Sequence, residues 1–309
     1  MEENILIFGH KNPDTDSICS SIVEKILNEK NGIKTTKAVR LGNVNKETQY
    51  VLNYLKLEMP ELIEEVEENQ KVILVDHNEF NQSVKGIEKS KILSVIDHHR
   101  IANFETSEPL YYTAKPYGCT STILFEEFKR LGHKIEKQEA ILMMSAIISD
   151  TLLLKSPTTT EQDKKVLEEL GKIANIDINE YGLEMLKAGT DLEDFSAKEL
   201  INLDAKSLDK NGKKFVIAQV NTVSIDDVLK RQKELEEEIN SQIKEKDLEL
   251  FVFAITDILN SNSEIIVLGN QVEAVEKAFD IKLKDNRAFL EGVVSRKKQL
   301  LPNIDKNIG

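Results

Sequence analysis

Short apolar runs alternate with amphipathic segments through the first half of this chain. Three runs, ILIF, VILVD and ILSVIDHH, end at residues 8, 76 and 99 and have the length of buried strands. Apolar residues also recur at three- and four-residue spacing from about Ser17, Cys119 and Gln138, which predicts helices. Strands that alternate with helices indicate an α/β fold with a parallel sheet and right-handed crossovers.

A further helix is expected over residues 158–174, where the spacing of apolar residues is again helical. Thr158 and Glu161 have the spacing of a capping box at its start. The pattern then changes at KAGTDLEDF, residues 187–195, where a glycine and three acidic side chains interrupt the apolar spacing. This interruption predicts a boundary between two domains.

The second half of the chain has a different order of elements. Another capping box, Ser196 with Glu199, is followed by the strands KFVIAQV, LFVFAI and EIIVLGN and by a charged helix over residues 224–246. We therefore predict an N-terminal parallel-sheet α/β domain, residues 1–188. A smaller C-terminal domain of mixed α/β structure follows, residues 189–309.

The charge balance excludes some classes of partner. The 309 residues include 41 Lys and Arg against 54 Asp and Glu, a net charge of −13, which argues against a general nucleic-acid or anionic-membrane surface. The two cysteines lie far apart and form no disulfide framework. The longest apolar run, residues 140–148, is far short of the roughly 20 residues that span a bilayer. We expect a cytoplasmic protein that binds neither nucleic acid nor membrane.

Acidic and imidazole side chains follow the apolar runs. In an open α/β sheet, ligands bind at the carboxyl ends of the strands. If the strand ends meet there, several carboxylates lie close together, and they cannot all stay charged without cations nearby. We therefore expect a metal site. The candidate residues are His10, Asp14, Asp16, Asp76, Asp97, His98, His99 and Asp150.

The kinds of side chain in this set limit the kind of metal. Carboxylates alone would suit Mg²⁺ or Ca²⁺, whereas added imidazoles favour a transition ion such as Mn²⁺ or Co²⁺. A carboxylate between two groups of ligands can bridge two metals at about 3.5–4 Å, the separation used in two-metal phosphoryl chemistry. The sequence therefore predicts a site that can hold two metal ions.

Each piece of the pattern also has a simpler interpretation. An aspartate at a strand end is more often a turn former or a helix cap, and Asp14 and Asp16 could simply cap the following helix. The tripeptide DHH is short and occurs by chance. The joint occurrence of four such elements is what favours a metal site.

The motifs together resemble those of a known superfamily. GHKNPDTDS, VDHN, VIDHHR and SAIISDTLLLKSPT are similar to the motifs of the DHH phosphoesterases. NLDAKS and SRKKQLLP are similar to the pattern of the family II, manganese-dependent inorganic pyrophosphatases. The resemblance covers essentially the whole chain.

The resemblance implies an active site in the cleft between two domains and hydrolysis of pyrophosphate to two orthophosphates by a two-metal, bridging-hydroxide mechanism. It also implies two Mn²⁺ ions per subunit, with Co²⁺ as an alternative, additional Mg²⁺ with the substrate, and a homodimer. In this family pattern His10 and Asp14 bind one metal, Asp16, His98 and Asp150 bind the other, and Asp76 bridges the two. The substrate is bound by His99, Lys206, Arg296 and Lys297. His99 would donate a proton or bind phosphate, and Asp97 would orient the histidines.

Two other functions stay open from the sequence alone. One is a DHH hydrolase for short oligonucleotides or polyphosphate. The chain lacks the Gly-rich motif ending in His that oligonucleotide-cleaving relatives carry in their second domain, but a short-chain polyphosphatase is harder to exclude. The other is a metal-binding module without catalytic activity, which would tolerate loss of ligands or cations; none is lost here.

Overall fold

A computed structural model describes residues 4–210 and 212–308 of the chain. The chain divides into two compact units, Met1–Gly189 and Thr190–Gly309. Among the described residues, no helix combines the length and apolar character needed to cross a membrane.

The first unit contains a six-stranded sheet in which every neighbouring pair of strands is parallel. The predicted parallel α/β fold is confirmed. The strand order is β3-β2-β1-β4-β5-β6. The strands are β1 Ile5–Phe8, β2 Thr36–Arg40, β3 Glu61–Leu62, β4 Lys71–Val75, β5 Lys91–Asp97 and β6 Tyr111–Ala114.

The strand order reverses between β1 and β4. From β1 the chain runs outward through β2 to β3, returns to β4 on the other side of β1, and continues outward to β6. Such a reversal leaves a crevice at the carboxyl ends of the two central strands, where ligands bind in open α/β sheets. Only β1, β4 and β5 stand out in the sequence, because β3 is very short and β6 is largely exposed.

Among the described residues, six α-helices accompany this sheet. They are α1 Thr15–Lys30, α2 Lys46–Leu55, α3 Thr120–Arg130, α4 Lys137–Thr151, α5 Glu161–Ala174 and α6 Ile178–Gly189. Helix α4 contacts α1, α3 and α5, and every residue from 140 to 148 is buried. Burial on all sides explains why this segment is apolar on nearly every face of the helix.

The expected start of α5 is wrong by three residues. The helix begins at Glu161, and Thr160 caps it in a capping box with Asp163. Asp163 is fully buried and also accepts hydrogen bonds from the Gly118 amide (2.9 Å) and the Thr122 hydroxyl (2.6 Å). These contacts place the cap at Thr160, whereas the pattern of Thr158 and Glu161 lies at the surface.

The second unit contains a five-stranded sheet of order β11-β10-β9-β8-β7, in which β8 and β9 are parallel and the other pairs antiparallel. The predicted mixed α/β fold is confirmed. Its strands are β7 Ala205–Lys210, β8 Lys213–Thr222, β9 Leu250–Asp257, β10 Asn262–Gly269 and β11 Arg287–Leu290. Its helices are α7 Ala197–Leu200, α8 Ile225–Leu229, α9 Gln232–Lys246, α10 Val272–Phe279 and α11 Leu301–Asn307.

Both faces of this sheet are covered. Alternate residues of β8 and β9 pack against α7, α8 and α9 on one face and against α10 and α11 on the other. Two buried faces account for the continuous apolar runs of the central strands. The predicted helix over residues 224–246 is instead two helices. Arg231, between them, donates to the Phe195 carbonyl at 2.8 Å and pairs with Glu234.

Candidate metal centre

The reversal of strand order brings three of the predicted segments together. His10 follows β1, Asp76 follows β4, and His98 follows β5, which ends at Asp97. All three strands are parallel, so their carboxyl ends lie at one edge of the sheet. The sheet topology therefore supplies ligand-type side chains from three sequence-distant segments to one place.

The turn after β1 is shaped by a glycine and a helix cap. A Cβ atom at Gly9 would lie 2.5 Å from the Ser17 side chain, so only glycine allows α1 to start this close to β1. Asp14 caps α1 by accepting the Ser17 amide at 3.0 Å through Oδ1, and its Oδ2 lies 3.5 Å from His10 Nε2. Asp16 does not cap the helix; it accepts from the Thr120 amide at 2.7 Å. The simpler interpretation, a helix cap, therefore holds for Asp14 and not for Asp16. The second oxygen of Asp14 still faces the candidate site.

Asp76 lies at the centre of the cluster and is 1% exposed. Its Oδ2 is 3.4 Å from His10 Nε2, and its Oδ1 is 3.3 Å from His98 Nε2. The hydroxyls of Ser17 (2.7 Å) and Thr120 (3.3 Å) donate to the same carboxylate. Its backbone has the left-handed φ of 59°, a conformation that Asp tolerates better than most residues. The two carboxylate oxygens thus face two different imidazoles.

Asp150 reaches the cluster from a helix and not from a strand. It lies in the last turn of α4, the helix predicted from about Gln138, and not after one of the apolar strands. Its Oδ2 is buried, has no hydrogen-bond partner among the described residues, and lies 3.6 Å from His98 Nε2. A buried oxygen left without a donor fits a metal ligand, because a cation satisfies it where no N–H or O–H does.

The two neighbouring histidines are held by different groups. His98 Nδ1 donates to the Tyr117 carbonyl at 3.0 Å, which leaves Nε2 as the atom that could bind a metal. His99 Nδ1 and its amide bond to Asp97 Oδ1 at 2.9 and 3.0 Å, and Asn78 donates to the other oxygen of Asp97 at 2.6 Å. The expectation that Asp97 orients the histidines therefore holds for His99 only.

The crowding of acidic and imidazole groups shifts their pKa values. Burial and the charge of Asp76 raise the pKa of Asp16 to about 6, and burial with neighbouring carboxylates raises the pKa of Asp150 well above its usual range. Burial acts to lower the pKa of both His10 and His98, but hydrogen bonds to aspartates outweigh it and raise these values to about 10 and about 9. Protons on the imidazoles offset the negative charge, and a divalent cation would replace them.

The ligand atoms form overlapping groups, each with all its atoms within 4.8 Å of one another. Asp76 belongs to every group. The groups are His10 with Asp14 and Asp76; Asp16 with Asp76, His98 and Asp150; and Asp76 with His98 and His99. Imidazole nitrogens combined with carboxylate oxygens suit Mn²⁺ or Co²⁺, so the residues present fit the metals that the motifs predicted.

Two of the three basic side chains predicted to bind the substrate border one cavity of the second unit. This cavity has a volume of about 380 Å³, and its lining includes Arg296 and Lys297. Arg296 pairs with Asp204 at 2.6 and 3.2 Å, and its amide donates to Gln219 Oε1 at 2.8 Å. Lys206 is exposed on β7 and is not among the residues that line the cavity.

Sequence reasoning missed the residues that hold the ligands. Ser17 and Thr120 bond to Asp76, Ser20 donates to Asp16 at 2.6 Å, and the Tyr117 carbonyl orients His98. These partners are small or main-chain groups without a spacing signal of their own. His77, in contrast, is buried and bonded to the Val75 carbonyl and the Ser83 hydroxyl, as a structural residue would be.

Comparisons with known proteins agree with the motifs. The N-terminal domain of the DHH family matches residues 4–147, and the DHHA2 domain matches residues 183–307. The manganese-dependent inorganic pyrophosphatase of Bacillus subtilis is 57% identical over 97% of each chain. A Bacillus velezensis relative assigned the same activity is 58% identical, also over 97% of each chain.

A solved structure shares both the sequence and the fold. The crystal structure of a Methanococcus jannaschii protein assigned to the family II inorganic pyrophosphatases has a TM-score of 0.62 at 40% identity. The match covers 97% of this chain and 98% of that chain. The resemblance predicted from the motifs is confirmed: this chain belongs to the manganese-dependent, family II inorganic pyrophosphatases, with their DHH and DHHA2 domains.

Proposed function

We propose that this chain hydrolyses inorganic pyrophosphate to two orthophosphates with two metal ions bound in its first unit. One observation carries the proposal: the two oxygens of the buried Asp76 face two different imidazoles, His10 and His98. A carboxylate with ligand groups on both sides is the arrangement that can bridge two metals. The name of the Bacillus subtilis relative, a manganese-dependent inorganic pyrophosphatase, supports the same activity.

We assign His10 and Asp14 to one metal, and we assign Asp16, His98 and Asp150 to the other. The mixed nitrogen and oxygen ligands favour Mn²⁺, with Co²⁺ as an alternative, whereas Mg²⁺ is expected to enter with the substrate phosphates. When bound, two such ions neutralise pyrophosphate and acidify water, the chemistry of two-metal phosphoryl transfer.

The chain's own residues have separate tasks around this centre. Asp76 keeps its charge, because His10 and His98 hold its pKa well below the usual range despite burial, which acts to raise it. His99 is half exposed, and Asp97 fixes its Nδ1. Its Nε2 is therefore the atom that can donate a proton to the leaving phosphate or bind a phosphate oxygen.

The second unit is proposed to bind the substrate. Arg296 and Lys297 border a cavity large enough for a diphosphate, and Lys206 lies on the strand that follows Asp204. Guanidinium and ammonium groups donate charge-assisted hydrogen bonds to phosphate oxygens and stabilise charge on the leaving phosphate.

Phosphate release by the purified full-length chain tests the proposal. Pyrophosphate and tripolyphosphate are each supplied with Mn²⁺, with Co²⁺ and with Mg²⁺ alone, and a dinucleotide, whose cleavage releases no orthophosphate, is followed under the same conditions by chromatography of the mononucleotides. Rapid release from pyrophosphate with Mn²⁺ is expected. Faster release from tripolyphosphate would replace the proposal with a short-chain polyphosphatase, and no release with any metal would leave a non-catalytic metal-binding module.

The resemblance also predicts a homodimer, which analytical ultracentrifugation of the full-length chain would test. A sedimentation coefficient that matches 35.1 kDa at micromolar concentration would contradict this part of the proposal.

A further inference from the structure

Glu47 joins two of the segments that carry the proposed metal ligands. It lies in the first turn of α2, outside every motif, and is partly buried. A single oxygen, Oε1, accepts the Thr15 hydroxyl at 2.6 Å and the Ser149 hydroxyl at 2.5 Å. Thr15 belongs to α1 and Ser149 to α4, so one atom connects two helices that are far apart in sequence.

The two hydroxyl residues are direct neighbours of ligands. Thr15 stands between Asp14 and Asp16, and Ser149 precedes Asp150. Because a side chain moves with its backbone, fixing Thr15 against Ser149 fixes the turn of two ligands relative to the helix end of a third. A divalent ion needs ligand atoms at set distances, so this link bears directly on metal affinity.

Glu47 itself has little room to move. A Cβ atom at Gly189 would lie 2.9 Å from Glu47 Cβ and 3.1 Å from its Oε2. Thr48, the next residue, lies 3.1 Å from the Thr15 hydroxyl as well. The carboxylate is therefore held between the ends of α1 and α4 and the last residue of the first unit.

We propose that Glu47 is a positioning residue that sets the spacing between the Asp14–Asp16 turn and Asp150, and thereby the affinity for metal. The inference rests on the proposed metal-dependent function. Both hydrogen bonds go to one oxygen, so the geometry needs an acceptor at Oε1 and not the full charge. Glu47→Gln keeps that acceptor, whereas Glu47→Ala removes it.

The experiment measures Mn²⁺ binding to the metal-free full-length chain, with free Mn²⁺ followed by electron paramagnetic resonance. Loss of groups that orient metal ligands typically weakens affinity about 10–100-fold, and we expect Glu47→Ala to weaken Mn²⁺ binding by about tenfold or more. Glu47→Gln is expected to stay within about threefold of the wild-type chain, since the acceptor is retained.

Glu24→Ala is the matched control. It removes another buried carboxylate, on α1, whose oxygen accepts from Asn28 of the same helix at 2.7 Å and, among the described residues, is not hydrogen-bonded to Asp14, Thr15, Asp16, Ser149 or Asp150. We expect it to leave the Mn²⁺ affinity unchanged, and the unfolding temperatures of both variants are measured alongside. A general loss of stability would instead weaken Mn²⁺ binding in both variants alike and would overturn the proposal.

The remaining outcomes are also decisive. Wild-type affinity in Glu47→Ala overturns the proposal, and so does Glu47→Gln binding as weakly as Glu47→Ala, because the charge would then matter and not the acceptor. If Glu47→Ala does not fold, Ser149→Ala removes one of the two hydrogen bonds: a loss of more than about threefold supports the proposal, and an affinity within about threefold of the wild-type chain overturns it. A wild-type chain that binds no Mn²⁺ or leaves pyrophosphate intact would contradict the proposed function itself.

Discussion

The two units present their charged groups in opposite ways. In the first unit the candidate ligands come from strand ends and helix termini, and the central Asp76 is 1% exposed with five polar side chains around its carboxylate. In the second unit Lys206 is exposed on strand β7, and Lys297 is exposed on a π-helical turn, Arg296–Leu300. The first unit buries its central carboxylate and surrounds it with polar partners, whereas the second unit leaves both of these lysines in solvent.

The chemistry of each group explains the difference. A metal ion requires several ligand atoms at set distances, and clustered carboxylates repel one another unless the surrounding structure holds them. A lysine ammonium acts on phosphate as a point charge on a flexible stem and needs no such frame. The candidate metal ligands are therefore held by surrounding groups, whereas the lysines that would bind phosphate are exposed to solvent.

Arg296 lies between these two extremes. Its side chain is 19% exposed, and its partner Asp204 is 59% exposed. An ion pair this close to solvent contributes about 0–1 kcal/mol, so the guanidinium can exchange Asp204 for a phosphate at little cost. The pair holds the guanidinium beside the cavity without locking it.

The largest effect is expected from a change in the first unit, at the central Asp76. Asp76→Asn removes the charge shared by the two ligand groups and places an amide N–H₂ where one oxygen faces an imidazole. We expect activity to fall by several orders of magnitude, with loss of at least one metal from the dialysed protein. Full metal occupancy with a near-normal rate would refute the bridging role of Asp76.

A smaller effect is expected from a change in the second unit, at Arg296. Arg296→Ala removes charge-assisted hydrogen bonds that together contribute about 1.5–3 kcal/mol, which predicts a loss of roughly 10- to 150-fold in kcat/KM for pyrophosphate. Arg296→Lys should restore only part of it, because an ammonium cannot reproduce the guanidinium fork.

Metal content separates this variant from Asp76→Asn. Arg296→Ala should bind Mn²⁺ as the wild-type chain does, and the exposed neighbour Lys298, changed to Ala, should alter kcat/KM little. Equal losses in the Arg296 and Lys298 variants would indicate a general effect of positive charge, and loss of metal from Arg296→Ala would contradict the division between the units.

A third effect concerns the choice of metal. His98→Gln exchanges an imidazole for an amide oxygen in the group that contains Asp16 and Asp150, which should weaken Mn²⁺ binding by about tenfold or more and reduce the preference for Mn²⁺ over Mg²⁺. His133→Gln is the control, since the His133 side chain bonds only to Asn31 among the described residues. Titration of activity with each metal measures both, and an unchanged preference would remove His98 from the ligands.

Much of the metal centre could be predicted from the sequence, for a topological reason. His10, Asp76 and His98 each follow an apolar run, and a parallel sheet gathers the carboxyl ends of its strands at one edge. The composition of the residues then limits the metal. These inferences need only local pattern and the general rules of the fold.

The rest depends on contacts that local pattern does not encode. Ser17 and Thr120 reach Asp76 across 59 and 44 residues, and Ser149 reaches Glu47 across 102. Asp150 lies in the last turn of α4 and follows no strand, so the rule that ligands collect at strand ends does not place it. Side chains that hold ligands without binding metal themselves become visible only when the helices are placed.

The smallest expected effect tests whether the raised pKa values in the first unit come from burial or from crowding of carboxylates. Glu24 lies on the same helix as Asp16 but outside the ligand groups, and burial raises its pKa from 4.5 to about 7. The folded chain then holds a proton that the unfolded chain has lost between pH 4.5 and 7, so wild-type stability falls as the pH rises through this window. The total loss is on the order of 3 kcal/mol.

Glu24→Gln cannot ionise and still accepts the hydrogen bond from Asn28, so it should escape this loss. Urea unfolding should give the variant nearly wild-type stability at pH 4.5 and an advantage of about 1–3 kcal/mol at pH 8. Saturating Mn²⁺ should leave the advantage unchanged, because Glu24 belongs to no ligand group, although it should stabilise both chains. An advantage that disappears with Mn²⁺ would mean that the metal centre reaches Glu24, and burial alone would not explain its pKa.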